Sequence, residues 1–166
     1  PGAAATGNNS FTYTLPSMVD GLTLKASYLP TGSATDSATA WSASYAGVEG
    51  LTLNYGQGDG NSPSTDVDVS SLSATYAFGP VTVGYSQTEY DSAAANSDKE
   101  TTSYALTYTV SDELSVTYGT ETIESDATAA VEDAEFAGVS VSYTAGGMTL
   151  TAKMQDADNI DGTTTA

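Results

Sequence analysis

Five stretches of the chain share one layout, in which apolar and polar residues alternate on both sides of a short connection. A period of two residues places successive side chains on opposite faces of an extended backbone, which is the pattern of β-strands. Each stretch therefore predicts one β-hairpin, and the five together predict ten strands in an all-β, antiparallel arrangement. The stretches are FTYTLPSMVDGLTLKASY, WSASYAGVEGLTLNYGQ, LSATYAFGPVTVGYSQ, YALTYTVSDELSVTYGT and VSVSYTAGGMTLTAKMQ.

The connections alternate in length along the whole chain. Those inside a hairpin have two to six residues, whereas those between hairpins are longer and rich in Ser, Asp, Gly, Asn and Thr. We expect residues 11–156 to form the strands, residues 1–10 to end one loop and residues 157–166 to begin another. The predicted long loops are Pro30–Ser37, Gly58–Asp66, Asp91–Glu100, Ser125–Asp133 and the residues from Ala157 onward.

The alternation assigns each strand two faces of different chemistry. One face carries mainly Leu, Val, Ala, Met and Tyr, and the other is almost wholly Thr, Ser and Gly, which suits a water-filled interior. Val67, Val69 and Phe136 are out of step with their strands, and either a β-bulge or a strand end above the apolar band would explain them. The candidate interior, pore-lining residues are Lys25, Thr82, Ser86, Thr149, Thr151 and Lys153.

Aromatic residues lie near the ends of the apolar faces, where two girdles would bound a band of smaller apolar side chains. Such girdles, strands of about ten residues and alternating short and long connections are typical of a transmembrane β-barrel. Strands in lipid must close into a barrel, because lipid cannot pair a free backbone group. A soluble β-sandwich, which also alternates, is the competing fold. The predicted lipid-facing girdle is Tyr13, Tyr28, Trp41, Tyr45, Tyr55, Tyr76, Phe78, Tyr85, Tyr108, Tyr118 and Tyr143.

Composition narrows the function further. The 166 residues contain no Cys, His or Arg, so they offer no thiolate, no Ser–His pair and no bidentate phosphate clamp, and we expect no enzyme. The net charge of −18 and the lack of a basic patch argue against nucleic acid as a partner. No apolar run approaches the roughly 18 residues of a transmembrane helix.

Charge placement predicts a cation-selective mouth. Asp20, Glu49, Asp112 and Glu113 belong to short connections, and the other 17 of the 21 acidic residues belong to the long loops or adjoining strand ends. Their field concentrates cations over a Debye length of roughly 8–10 Å. The predicted acidic mouth is Asp59, Asp66, Asp91, Asp98, Glu124, Asp126, Glu132 and Asp133.

The acidic loops also raise the question of bound metal ions. The segment DADNIDG (156–162) has Ile160 where a calcium loop needs its third oxygen ligand, so no dedicated metal site and no cofactor are predicted. Loose binding of calcium or another divalent cation remains an expectation for the carboxylates Glu121, Glu124, Asp126, Glu132 and Asp133.

The repeated hairpins, the TY and SY strand ends before tight turns and the acidic loops resemble the general porins of Gram-negative outer membranes, particularly the sixteen-stranded, trimeric kind. The resemblance implies an outer-membrane channel for passive diffusion of ions and small hydrophilic solutes, a homotrimer, and contact with membrane lipid and lipopolysaccharide. It also implies that strands are missing at both ends and that the ten correspond to strands six to fifteen. Residues 1–10 would then belong to the pore-constricting loop, and residues 157–166 would begin a truncated extracellular loop.

A second class of function is compatible with the same pattern. A secreted or cell-surface adhesin or fibre module would also be rich in alternating strands, with acidic loops that bind calcium or a host ligand. It would be soluble without detergent and would conduct no ions.

Overall fold

The computed structural model describes residues 10–30, 37–59, 66–126 and 132–160, and these ranges contain strands and connections but no helix. Ten strands form one antiparallel sheet in which each pairs with the next along the chain, which confirms the predicted all-β fold. The strands are β1 (Phe11–Thr14), β2 (Leu22–Leu29), β3 (Ala38–Val48), β4 (Leu51–Asp59), β5 (Val67–Phe78), β6 (Val81–Ser92), β7 (Lys99–Thr109), β8 (Leu114–Ser125), β9 (Ala134–Ala145) and β10 (Met148–Asp158).

The strands extend past the apolar band at their long-loop ends. β6 ends at Ser92 and β10 at Asp158, each two residues beyond the end expected from the sequence. A strand of 12 residues such as β6 measures about 40 Å, whereas roughly 9–11 residues suffice to cross a bilayer. The long-loop ends therefore project beyond the length that a membrane would cover.

Glycine sets the geometry of the tight turns. Gly50 and Gly79 have φ angles of 76° and 54°, in the left-handed region that glycine adopts in tight turns without steric cost. A Cβ on Gly50 would collide with the carbonyl oxygen of Ala77, and the Ala77 N–H donates to the Gly50 carbonyl at 2.8 Å. The β3–β4 turn is thus joined directly to β5. The first connection, residues 15–21, is longer than the two to six residues expected.

The described chain has no interior core of the kind that a soluble domain builds. Its only buried apolar residues are Ala38 and Ala40, and no large side chain is fully buried. Met154 is 80% exposed and Leu150 is 66% exposed, although both lie on the apolar face. A β-sandwich would cover such a face with a second sheet, but the described strands all belong to one sheet. The apolar face therefore lacks a covering among the described residues, as the predicted lipid-facing side of a barrel would.

The register between neighbouring strands explains why Val67, Val69 and Phe136 are out of step with the apolar face. The pairings of β5 and β9 with both of their neighbours run without interruption, so no bulge lies at Val67, Val69 or Phe136. These side chains instead lie on the polar face near the long-loop ends, which is the second of the two explanations. Among the described pairings, the register shifts only between Tyr45 and Val48 in β3.

Candidate functional site: the polar face of the sheet

The structure places all six predicted interior residues on one face of the sheet. Thr82 pairs with Thr107, and Ser86 pairs with Ser103. Lys25 lies opposite Ser42, and Lys153 lies opposite Ser140. Thr149 and Thr151 share the face of Lys153 because they are separated from it by an even number of residues in β10. The alternation in the sequence was sufficient to predict this common face, although the residues are spread over β2, β6 and β10.

Hydroxyl and amide groups link the strands across this face. Thr107 Oγ1 and Thr117 Oγ1 are 2.9 Å apart, and Thr144 Oγ1 and Thr149 Oγ1 are also 2.9 Å apart. Asn54 bridges two strands, since its Oδ1 accepts from Ser44 at 2.8 Å. Its Nδ2 donates to Ser73 at 3.2 Å. These hydroxyl and amide groups are uncharged, and each can hydrogen-bond to water as well as to its neighbour.

Sequence reasoning missed one basic and one acidic residue on this face. Lys99 pairs with Tyr90 and Ser125, so all three lysines of the chain lie on the polar face. Glu121, opposite Ser103, is the only carboxylate on the polar face of the described strands, and Ser103 Oγ donates to its Oε2 at 2.9 Å. Lys99 was missed because its segment was assigned to a loop. Glu121 was grouped with the loop carboxylates, although strand parity would have placed it here.

The predicted girdle residues lie on the opposite, apolar face in two rows. Ring centroids are 5.0 Å apart for Trp41 and Tyr55, and 5.7 Å apart for Tyr76 and Phe78. Tyr85 and Tyr104 are register partners with centroids 5.2 Å apart, and Tyr104 was not among the predicted residues. Rows of this kind suit the two interfaces of a bilayer, where an aromatic ring has an apolar body and a polar edge.

The predicted acidic mouth divides into residues in connections and residues on the apolar face. Asp59, Asp91 and Glu124 lie on the apolar face, beyond its aromatic rows. Glu89, Glu100 and Glu124 face one another across β6, β7 and β8, and we call these three the outer acidic row. Asp59, Asp68 and Asp91 form a similar series. The connections hold Asp66, Asp98, Asp126, Glu132 and Asp133.

Two carboxylates of the predicted acidic mouth accept hydrogen bonds from other residues of the chain. Asp59 Oδ2 accepts from the Thr39 hydroxyl at 2.6 Å, and Asp98 Oδ1 accepts from the backbone N–H of Ser92 at 2.7 Å. The carboxylates considered for loose divalent binding are not brought together as one set, because Glu121 and Glu124 lie on opposite faces of β8. Within the described ranges, no three acidic residues converge as metal ligands. Nor do those ranges include any helix with the length and hydropathy of a membrane span.

A single antiparallel sheet with an aromatic-bounded apolar face and a hydroxyl-rich polar face defines the outer-membrane β-barrel class of protein. The sequence profile of the Gram-negative porins matches residues 2–166, and the chain belongs to that family. It is therefore a protein of the bacterial outer membrane. No curated protein matches the chain in sequence.

Several solved structures share the fold. The chain is 19% identical to a loop L8 deletion mutant of OmpT, an outer membrane protein of Vibrio cholerae, covering 90% of this chain and 57% of that one, with a TM-score of 0.66. A porin structure refined at 1.8 Å resolution is 19% identical to the chain, and the match covers 92% of this chain and 56% of that one with a TM-score of 0.65. The in vitro folded OmpT of Vibrio cholerae is also 19% identical to the chain. The match covers 90% of this chain and 53% of that one, with a TM-score of 0.66. The chain thus spans a little over half the length of these proteins.

Proposed function

We propose that this chain forms part of the wall of a porin through which ions and small hydrophilic solutes diffuse passively. The observation that carries the proposal is the division of the sheet into a polar face of hydroxyls, glycines and lysines and an apolar face with no covering among the described residues. The polar face would line the water-filled lumen, and the apolar face would contact lipid and, at its outer end, lipopolysaccharide. Family membership favours such a channel over an enzyme.

The proposal includes a preference for cations that originates at the long-loop mouth. The described wall contributes three lysines and one strand carboxylate to the polar face, so it does not itself attract cations. The chain nevertheless carries a net charge of −18, and the connections at the long-loop end hold acidic residues such as Asp126 and Asp133. These connections would concentrate cations before they reach the lysines.

Two features of the larger assembly are also proposals. We infer a sixteen-stranded wall, to which the ten described strands would contribute, from the resemblance to sixteen-stranded porins. In keeping with a larger wall, the chain covers only 57% and 56% of two solved structures that share its fold. We infer a homotrimer from the resemblance to trimeric porins.

Planar-bilayer recording of the intact protein, extracted from its native membrane, tests the channel. We expect stepwise, ohmic openings and a reversal potential of cation-selective sign under a KCl gradient. Openings with an anion-selective reversal potential would show that the acidic long-loop mouth does not determine the selectivity of the channel. A protein that never conducts and stays soluble without detergent would overturn the porin proposal and favour the adhesin.

A further inference from the structure

A groove lies across β7 to β10 within the polar face of the sheet. Its volume of about 690 Å³ is within the roughly 300–1,000 Å³ of small-molecule sites. The lining residues whose side chains lie on the polar face supply one aromatic ring, two opposite charges and several hydrogen-bonding groups. Tyr104 and Asp156 also border the groove, but strand parity places their side chains on the apolar face. The side chains around it are Ser103, Glu121, Phe136, Ser140, Lys153 and Gln155.

Two glycines leave the floor of the groove open. Gly119 and Gly138 are register partners on β8 and β9, and glycine inside a strand commonly marks the close approach of a ligand or another backbone. A Cβ on Gly119 would lie 3.4 Å from the carbonyl oxygen of Tyr104, which is ordinary contact distance. The packing of the sheet therefore does not require glycine at position 119, whereas an open groove does.

The long-loop end of the groove pairs a carboxylate with an aromatic ring. Glu121 and Phe136 are register partners, so their Cβ atoms are about 4.5–5.5 Å apart on the same face. The hydrogen bond from Ser103 Oγ at 2.9 Å orients the Glu121 carboxylate. The Phe136 ring is only partly buried, so a solute on the polar face can reach it. An ammonium group placed here would gain both an ion pair and a cation–π contact.

The other end of the groove has the opposite charge. Lys153 pairs with Ser140, four residues along β9 from Phe136, which corresponds to about 13 Å along the strand. A second positive charge on the same solute would be repelled there. The groove thus favours a solute with one ammonium group, whose neutral part extends toward Lys153.

We propose that this groove binds the ammonium group of small, singly charged organic cations between the Glu121 carboxylate and the Phe136 ring. The proposal rests on the proposed function, because it assigns the polar face to the lumen. It adds a solute class for which the channel has a site, in contrast to ions that only pass through.

Block of the potassium current by choline tests the site in the intact protein. Choline added at the long-loop side reduces the current at lower concentration than its tert-butyl isostere, in which carbon replaces the quaternary nitrogen. We expect about tenfold weaker block in Glu121→Gln and about two- to fivefold weaker block in Phe136→Leu. We also expect Gly119→Val to weaken choline block, because the valine side chain would fill the floor of the groove.

Gly84→Val is the matched control for the floor variant. Gly84 lies on the same polar face outside the groove, and its Cβ would meet only the Ala105 Cβ, at 3.7 Å. We expect choline block in this variant to equal that of the unmodified protein. A change as large as that of Gly119→Val would show a general effect on the lumen and overturn the site.

The test separates failure of the site from failure of the channel. If the protein conducts but choline and its isostere block equally, or if Glu121→Gln and Phe136→Leu leave block unchanged, the site is wrong and the porin proposal stands. If the protein does not conduct, the porin proposal fails, and saturation-transfer NMR of the choline methyl protons with the detergent-solubilised protein tests the groove. Equal transfer in the unmodified protein and Glu121→Gln would then overturn it.

Discussion

At the scale of single residues, the outer acidic row places like charges directly opposite one another in the sheet. Glu100 has Glu89 on one side and Glu124 on the other as direct register partners. Like charges directly opposite one another in a sheet are destabilising by roughly 0.2–1 kcal/mol per pair. Because the row lies beyond the aromatic girdle on the apolar face, the repulsion acts in water, where salt screens it.

Replacing the central member of that row is expected to stabilise the protein. Glu100→Gln should raise the free energy of unfolding by roughly 0.5–1 kcal/mol at low salt, and the gain should shrink as salt is added. Urea unfolding in lipid vesicles at two salt concentrations measures it. Glu49→Gln, at a short turn on the opposite end of the sheet, is the control and should change little. A gain that is independent of salt would contradict the electrostatic cause.

At the scale of the hairpin, two turn glycines with similar backbone angles have different surroundings. Gly50 and Gly79 both have positive φ, so alanine at either position costs about 1–2 kcal/mol in backbone strain. The Gly79 Cβ position has nothing within 4 Å, whereas the Gly50 position is occupied by the carbonyl oxygen of Ala77. Gly50→Ala should therefore destabilise clearly more than Gly79→Ala in the same urea assay. Equal losses would show that the turn moves away from β5 without cost.

The two faces of one strand provide a direct test of where lipid lies. Leu106 is 47% exposed on the apolar face between Tyr104 and Tyr108, and Ala105 points to the polar face beside Gly84 and Gly119. Lysine at the bilayer midplane of a barrel costs roughly 2–4 kcal/mol, while a lumenal lysine stays hydrated. Leu106→Lys should lose about that much stability in vesicles, and Ala105→Lys should lose little. Equal costs would contradict a lipid-facing β7.

At the scale of the whole molecule, the sequence predicted the strand number, the antiparallel order and the faces of Lys25 and Lys153, because all of these follow from a period of two. It did not determine the strand ends. Lys99 lies in a polar segment that composition assigns to a loop, yet pairing with Tyr90 extends the sheet to include it. That Phe136 lies directly opposite Glu121 depends on the register between β8 and β9. Register is a property of the pair of strands, so neither strand's sequence alone determines it.

The placement of charge on two faces leads to a prediction about selectivity. A unit charge about 8 Å from a permeating ion in water changes its energy by about 0.5 kcal/mol, or roughly a twofold change in occupancy. The triple variant Lys25→Gln, Lys99→Gln, Lys153→Gln should therefore shift the reversal potential under a KCl gradient toward stronger cation selectivity. Replacing all three glutamates of the outer acidic row with glutamine should shift it much less, because the wall and salt separate them from the lumen. A larger shift from the outer row would mean that the polar face does not line the conducting path.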